Sequence, residues 1–387
     1  MSVVGEWSCL DLDDRNSGVC WGKCHAYPKG SLFIMNSITT KSFIVRVFGL
    51  AAILVLVMIV VSPVGAATSG TLHIDTDTTL TEDHYGSIVI AEDGVTLDCA
   101  NHTITGYGGD WGILLFGRED VTIRDCRITN FVHGILLEYS PSNQLIGNTV
   151  FGNREDGIRL NYTSDSNTLN TNVSKNNGRH GFAFSFVSGN IIENNEAVGN
   201  GAVGFASGEA NNNMFTANEA THNPTGFFIE NTVGSYLEGN TANKNEVGIW
   251  LQYSNINHLT GNASNNNVEH GIVLWYSQDN FLVTNTANNN DVDGFAIAFA
   301  DDNTLSMNKA NNNGHRGFSL WDSSGNTLAE NTAMHNYSIG FLADGSSQSN
   351  DLMLNRGCNN IYLDALDVST GTGNTWFENN FCIFSGF

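Results

Sequence analysis

Along most of this chain, apolar residues alternate with polar ones in runs of three or four, and a glycine resets each run. Gly112, Gly134, Gly157, Gly181, Gly204, Gly226, Gly248, Gly271, Gly294, Gly317 and Gly340 are each followed by Ile or Phe, at spacings of 22 to 24 residues. Within one unit three short patterns recur: Gly-Ile/Phe-x-Leu, Asn-x-Leu and Asn-x-Ala. They stand together in Gly271-Ile272-Val273-Leu274, Asn280-Phe281-Leu282 and Asn285-Thr286-Ala287. Alternation of this kind has the period of a strand, not of a helix. Self-similarity every 20 to 50 residues marks a stacked array. The pattern therefore predicts three short strands and three bends per coil, giving an all-β parallel β-helix solenoid of about 12 to 13 turns from near Thr71 to Cys382.

Stacking the coils aligns the inward positions. Ile113, Ile135, Ile158, Phe182, Phe205, Phe227, Ile249, Ile272, Phe295, Phe318 and Phe341 form one column, with a mainly leucine column two residues later. Asparagine fills three more, running from Asn148 to Asn355, from Asn153 to Asn360, and from Asn143 to Asn350 with Ser235 as the single break. Asparagine tolerates left-handed backbone angles at a bend, and its amide both donates and accepts, so identical amides can bond up the stack. These ladders are read as structural. The sequons at Asn172, Asn262 and Asn336 fall inside them and are poor glycosylation sites, whereas Asn101 and Asn161 are better placed.

The first 67 residues break the pattern. Val47 to Val61 is an apolar run preceded by Lys41 and Arg46 and followed by Pro63-Val64-Gly65-Ala66-Ala67, the arrangement of a secretory signal peptide. Residues 35–67 are assigned to it, with a retained membrane anchor over Phe43 to Val64 as the rival reading. Residues 1–34 read as an upstream translation artefact or a cytoplasmic extension, and residues 68–387 as the β-helix domain. Past residue 67 the chain carries 11 Lys plus Arg against 35 Asp plus Glu, a surface that repels nucleic acid. A secreted, periplasmic or cell-surface monomer is expected, touching a membrane only if the N-terminal segment is kept. Cys99 and Cys126, like Cys358 and Cys382, occupy equivalent places on neighbouring turns, where one rung spacing suits a disulfide but buried free thiols fit as well.

The run Gly94-Val-Thr-Leu-Asp-Cys-Ala-Asn-His-Thr-Ile-Thr-Gly106, followed by Gly112-Ile-Leu-Leu, Val121-Thr-Ile-Arg-Asp-Cys and Gly134-Ile-Leu-Leu, resembles the right-handed parallel β-helix repeats of the NosD-like proteins, within the wider class of carbohydrate-binding and sugar-hydrolase β-helices. The resemblance spans Thr71 to Cys382 and rests on core and ladder positions, so it implies the fold more than an activity. It leaves open copper-enzyme maturation, polysaccharide cleavage or epimerisation, and surface binding without chemistry.

Copper delivery needs soft or imidazole ligands that converge. Met214, Met307, Met334 and Met353 fall in different repeat columns, and His133, His180 and His270 lie several turns apart, so no metal site is assigned. A lyase or epimerase for acidic glycans needs cations and a base near the substrate carboxylate. Arg159, Arg179 and His180, with Glu138, Glu155 and Asp156, are the local candidates, calcium being the one cofactor that could bridge substrate to this acidic surface. A second constellation lies two and four positions after the repeat glycines, facing outward: Phe228, Glu230, Trp250, Gln252, Trp275 and Trp321. Exposed indoles stack well on sugar rings. Tyr253, Tyr276 and Phe299 follow one position later, where continued alternation would tuck them inside. The leading expectation is a non-catalytic scaffold binding a polysaccharide or surface glycan through this aromatic column.

Overall fold

The computed structural model describes residues 68–370 and 373–385. The proposed start, signal peptide or anchor, within residues 1–67, lies outside the described residues. The rest is a right-handed parallel β-helix, in which every named strand pairing is parallel. One sheet has fifteen strands and a second has fourteen. The third comprises nine strands up to Thr241–Asn243 and three from Thr332–Met334 onward, joined by single bridges such as Ala263 to Thr286. The fifteen rungs of the longest sheet enclose the expected turns, with short strands at both ends (Leu72–Ile74 and Phe384–Ser385).

The core is the predicted one. Phe182, Phe205, Phe227, Phe295, Phe318 and Phe341 are fully buried. Their rings stack face to face, with centroids 4.7 Å apart for Phe182–Phe205, Phe205–Phe227 and Phe295–Phe318. The repeat glycines are required by crowding. A Cβ on Gly271 would lie 2.7 Å from both the Asn290 amide and the Gly294 carbonyl of the next turn.

The ladders stand as expected, with one correction to their geometry. Asn285 donates from Nδ2 to Asn308 Oδ1 at 3.0 Å and to the Leu259 carbonyl at 2.8 Å, while its own Oδ1 accepts from Asn262 at 2.9 Å. Ser235 continues its column by accepting from Asn213 N–H at 3.1 Å. The left-handed residue, however, is the one before each ladder asparagine: Thr284 before Asn285, Asn289 before Asn290, Asp279 before Asn280. That preceding residue turns the chain so that the next amide points inward. Asn161 is also corrected as a glycosylation candidate, being only 5% exposed, whereas Asn101 is exposed.

Both cysteine pairs are bonded, Cys99–Cys126 and Cys358–Cys382, with Cα atoms 4.7 and 5.3 Å apart. They tie neighbouring turns near the two ends of the solenoid, where an outer coil has only one neighbour to hold it. Closing loops of this size stabilises a fold by roughly 3 kcal/mol each.

Candidate functional site

The outer face of the fifteen-stranded sheet gathers the chemistry. Three columns project from it: the residue before each repeat glycine, and those two and four positions after. A fourth follows at the bend. Alternation alone would bury that fourth position, but Tyr139, Tyr162, Phe186, Tyr253, Tyr276 and Phe299 all have φ between 45° and 55°. The left-handed angle reverses the side chain, so two consecutive residues point outward and the next, such as Ser140 or Ser277, goes in. Tyr253 and Tyr276 are thus exposed, not tucked inside, and Phe299 is half-buried. Bulky residues rarely adopt such angles, which concentrate where a fold holds strain for a purpose.

These rings form two stacked ladders. Tyr139 and Tyr162 lie 5.5 Å apart and Tyr162 and Phe186 6.1 Å, with Phe116 edge-on to Tyr139 at 5.7 Å. Tyr253 and Tyr276 are separated by 5.3 Å, and Tyr276 and Phe299 by 4.8 Å. Sequence reading missed the first ladder, although the spacing of its four rings by one turn each was visible.

The expected aromatic column is present beside the second ladder. Phe228, Trp250, Trp275 and Trp321 point outward and are half-buried, as are Glu230 and Gln252. Phe228 meets Trp250 edge-on at 5.4 Å, and Trp250 tilts against Trp275 at 6.4 Å. Together the two indoles cover Val247, Val273 and Ala296, so the outward Ala296 is only 5% exposed. Among the described residues no insertion between strands is long enough to roof this face; the strands Val247–Gln252 and His258–Thr260, for example, are separated by five residues. Glu230 has its carboxyl pushed up by burial and by the neighbouring Glu209.

Arg159, Arg179 and His180 do converge, around an aspartate. Asp156 is fully buried; Arg159 Nη1 donates to its Oδ2 at 3.0 Å, His133 Nδ1 lies 3.5 Å from the same oxygen, and the His180 backbone N–H donates to Oδ1 at 3.3 Å. Burial drives the His180 imidazole down to about 4, against the pull of Asp156 and with Arg179 and Arg159 adding to the shift. It is neutral at pH 7, and its buried Nδ1 has no partner. His133 is lowered for the same first reason. Arg179 is exposed at the margin.

A second centre was not anticipated. Asp293, 2% exposed, accepts from the Arg316 backbone N–H at 2.9 Å and from Ser319 Oγ at 2.8 Å, with His315 Nδ1 at 3.3 Å and Arg316 Nη1 at 3.8 Å. The Arg316 guanidinium also lies over Trp321, 4.8 Å from the ring centre. Burial by itself would raise the Asp293 carboxyl, but His315 and Arg316 outweigh it and hold the group well below the carboxylate range. Burial lowers His270, whose Nδ1 is also unpartnered.

The donors present do not suit copper. His133, Glu155 and Asp156 approach one another, but Arg159 already occupies Asp156 Oδ2, and a guanidinium at that place repels a cation. His133 also faces the two carboxylates through different ring nitrogens. Met214 and Met307 are exposed, on different columns, and the cysteines are bonded to one another.

Among solved structures, the A-module of the mannuronan C-5 epimerase AlgE6 from Azotobacter vinelandii is similar at 16% identity, covering 83% of this chain and 90% of its own, with a TM-score of 0.53. The A-module of AlgE4 from the same organism gives 17%, 80%, 89% and 0.49. The periplasmic alginate epimerase AlgG gives 11%, 80%, 78% and 0.44. At these identities the likeness is one of fold. No curated protein matches the sequence significantly. Two successive stretches, residues 71–236 and 224–383, match the family described as periplasmic copper-binding protein (NosD), and the chain belongs to that family.

Proposed function

We propose that this protein works outside the cytoplasm as a non-catalytic scaffold that binds an extended glycan along the outer face of the fifteen-stranded sheet. The observation that carries the reading is the unroofed aromatic surface, in which Trp250 and Trp275 stand beside the exposed, stacked Tyr253 and Tyr276. Flat rings at successive rungs, about 4.8 Å apart, offer the apolar faces of a sugar chain repeated contacts of ordinary stacking strength. Such a face needs no chemistry to be useful. A glycan array with the wild type and a Trp250→Ala, Trp275→Ala double variant tests it. Binding that drops at least tenfold in the variant is expected; binding indifferent to both substitutions removes the platform.

Action on an acidic polysaccharide is the second reading, favoured by Arg159 and Arg179 beside a neutral His180. In that reading the arginines meet the substrate carboxylate, with calcium as a bridging ion, and His180 takes the proton. It also draws on the neighbours described as alginate epimerases. Incubation with alginate and pectin, followed by ultraviolet absorbance for unsaturated ends and by proton exchange for epimerisation, is the test. Activity unchanged in His180→Ala would exclude the base assigned here.

A further inference from the structure

The two aspartate centres stand at corresponding points of one repeated design. His133-Gly-Ile-Leu-Leu-Glu-Tyr139-Ser140 is matched by His270-Gly-Ile-Val-Leu-Trp-Tyr276-Ser277, 137 residues on, and Asp156-Gly157 is matched by Asp293-Gly294 at the same interval. Asn176-Asn-Gly-Arg-His-Gly-Phe182 is matched by Asn312-Asn-Gly-His-Arg-Gly-Phe318, with the Arg and His exchanged. The strand pairings place these segments six rungs apart on the same sheet. Six rungs at about 4.8 Å separate the centres by about 29 Å. The family profile likewise matches twice, in tandem.

Each copy has the same cross-section. A polar margin precedes the glycines, built on a buried aspartate whose Oδ1 accepts the backbone N–H of the next turn. A ladder of stacked rings in left-handed conformation forms the opposite margin. The two rungs between the copies lack both devices, with Val203 and Thr225 at the polar margin and Glu209 and Asn231 at the bend. A ladder that were merely structural would have no reason to stop and resume in phase with the polar centres.

We infer that the face carries two equivalent saccharide-binding bays, one around Asp156 with Tyr139 and Tyr162 and one around Asp293 with Tyr276 and Phe299, and that one polysaccharide running parallel to the solenoid axis engages both. The inference rests on the glycan reading above and adds to it a stoichiometry and a length requirement. Short oligomers fill each bay separately. A chain long enough to bridge them binds more tightly without any new contact, because its second engagement is intramolecular.

Isothermal titration with mannuronan and with neutral β-glucan, each as short oligomers and as long ones of about twelve residues, tests the inference. The bay variants are Tyr139→Asn with Tyr162→Asn, and Tyr276→Asn with Phe299→Asn; asparagine keeps the left-handed backbone while removing the ring. For the series that binds, two short oligomers per wild-type chain and at least tenfold tighter binding of the long ones are expected. Either variant should bind one short oligomer and lose the length effect. One short oligomer per wild-type chain, or a length effect surviving in both variants, overturns the two-bay inference while leaving glycan binding intact. No binding of any oligomer in either series removes the glycan reading itself and the inference with it. Unchanged far-ultraviolet circular dichroism and melting confirm that each variant is folded.

Discussion

The bay around Asp156 and the bay around Asp293 share a frame and differ in where they put the cation. In the first, Arg159 lies on the same strand as Asp156 and bonds it directly, so position 180 can be a neutral histidine. In the second, Ala296 replaces that arginine, and the Arg-His order of the next turn is reversed, bringing Arg316 to the buried place beside Asp293. A buried carboxylate requires a partner, but which element supplies the partner is open. The aspartate itself is the fixed point, because it holds the next turn's backbone N–H in both copies. The aromatic allotment differs in the same compensating way. The first bay has a ladder of four rings and no indole in its middle, whereas the second adds Trp250, Trp275 and Trp321 to a ladder that ends in Asp322.

The largest expected effect lies beneath the bays, where the frame is common to both. Phe295→Ala, under Asp293, should lower stability by about 3 to 5 kcal/mol, and Ile158→Ala, under Asp156, by about 2 to 5 kcal/mol, measured by denaturant unfolding. A negligible change in either would mean that inside and outside have been exchanged at that rung. Arg316→Ala comes next, with a loss of about 3 kcal/mol, since Asp293 is left with only Ser319, His315 and a backbone N–H around a buried charge.

Acid should separate the bays. The folded pKa of His180 is depressed to about 4 from an ordinary 6.5, so its contribution to stability is complete above pH 6.5 and is lost as the pH falls toward 4, at up to about 1.4 kcal/mol per unit. His180→Gln should flatten the melting-temperature profile across that window. Arg316 at the corresponding place does not titrate there, and the depressed Asp293 gives up its contribution only below about pH 3.8. A His180→Gln profile parallel to that of the wild type would show that the imidazole is not buried as described.

The smallest effect sharpens the exchange of cations. Arg159→Ala alone should cost about 1 to 2 kcal/mol, because the pair is partly open to solvent and His133 remains nearby. Adding His180→Arg converts the first bay to the pattern of the second and should recover most of the loss. If the double variant is no more stable than the single one, the two counter-ion positions are not interchangeable.

Much of this molecule was legible in the chain because a solenoid repeats each local decision many times. Glycine spacing, the Phe and Ile column and the asparagine ladders were each written ten or so times over, so an exception such as Ser235 stood out against its column. The same averaging hid the site. Arg159, Arg179 and His180 were recognisable as neighbours on adjacent turns, but Asp293 with Arg316 and Ser319 involves one residue from each of two rungs and a third from the strand between the columns, with no short motif to mark it.

What the sequence determined by itself was the period, and with it the parallel rungs, the buried columns and the two places where a disulfide could close. Alternation of two and repetition of about 23 leave few other ways to bury those side chains. What only the tertiary structure decided was direction. A left-handed angle at one residue per bend turned Tyr139, Tyr162, Tyr253 and Tyr276 out into solvent against the pleat. Sequence could not show this, because whether a bend residue takes φ near +50° depends on the next turn's asparagine needing to point inward, a contact made between residues a full coil apart.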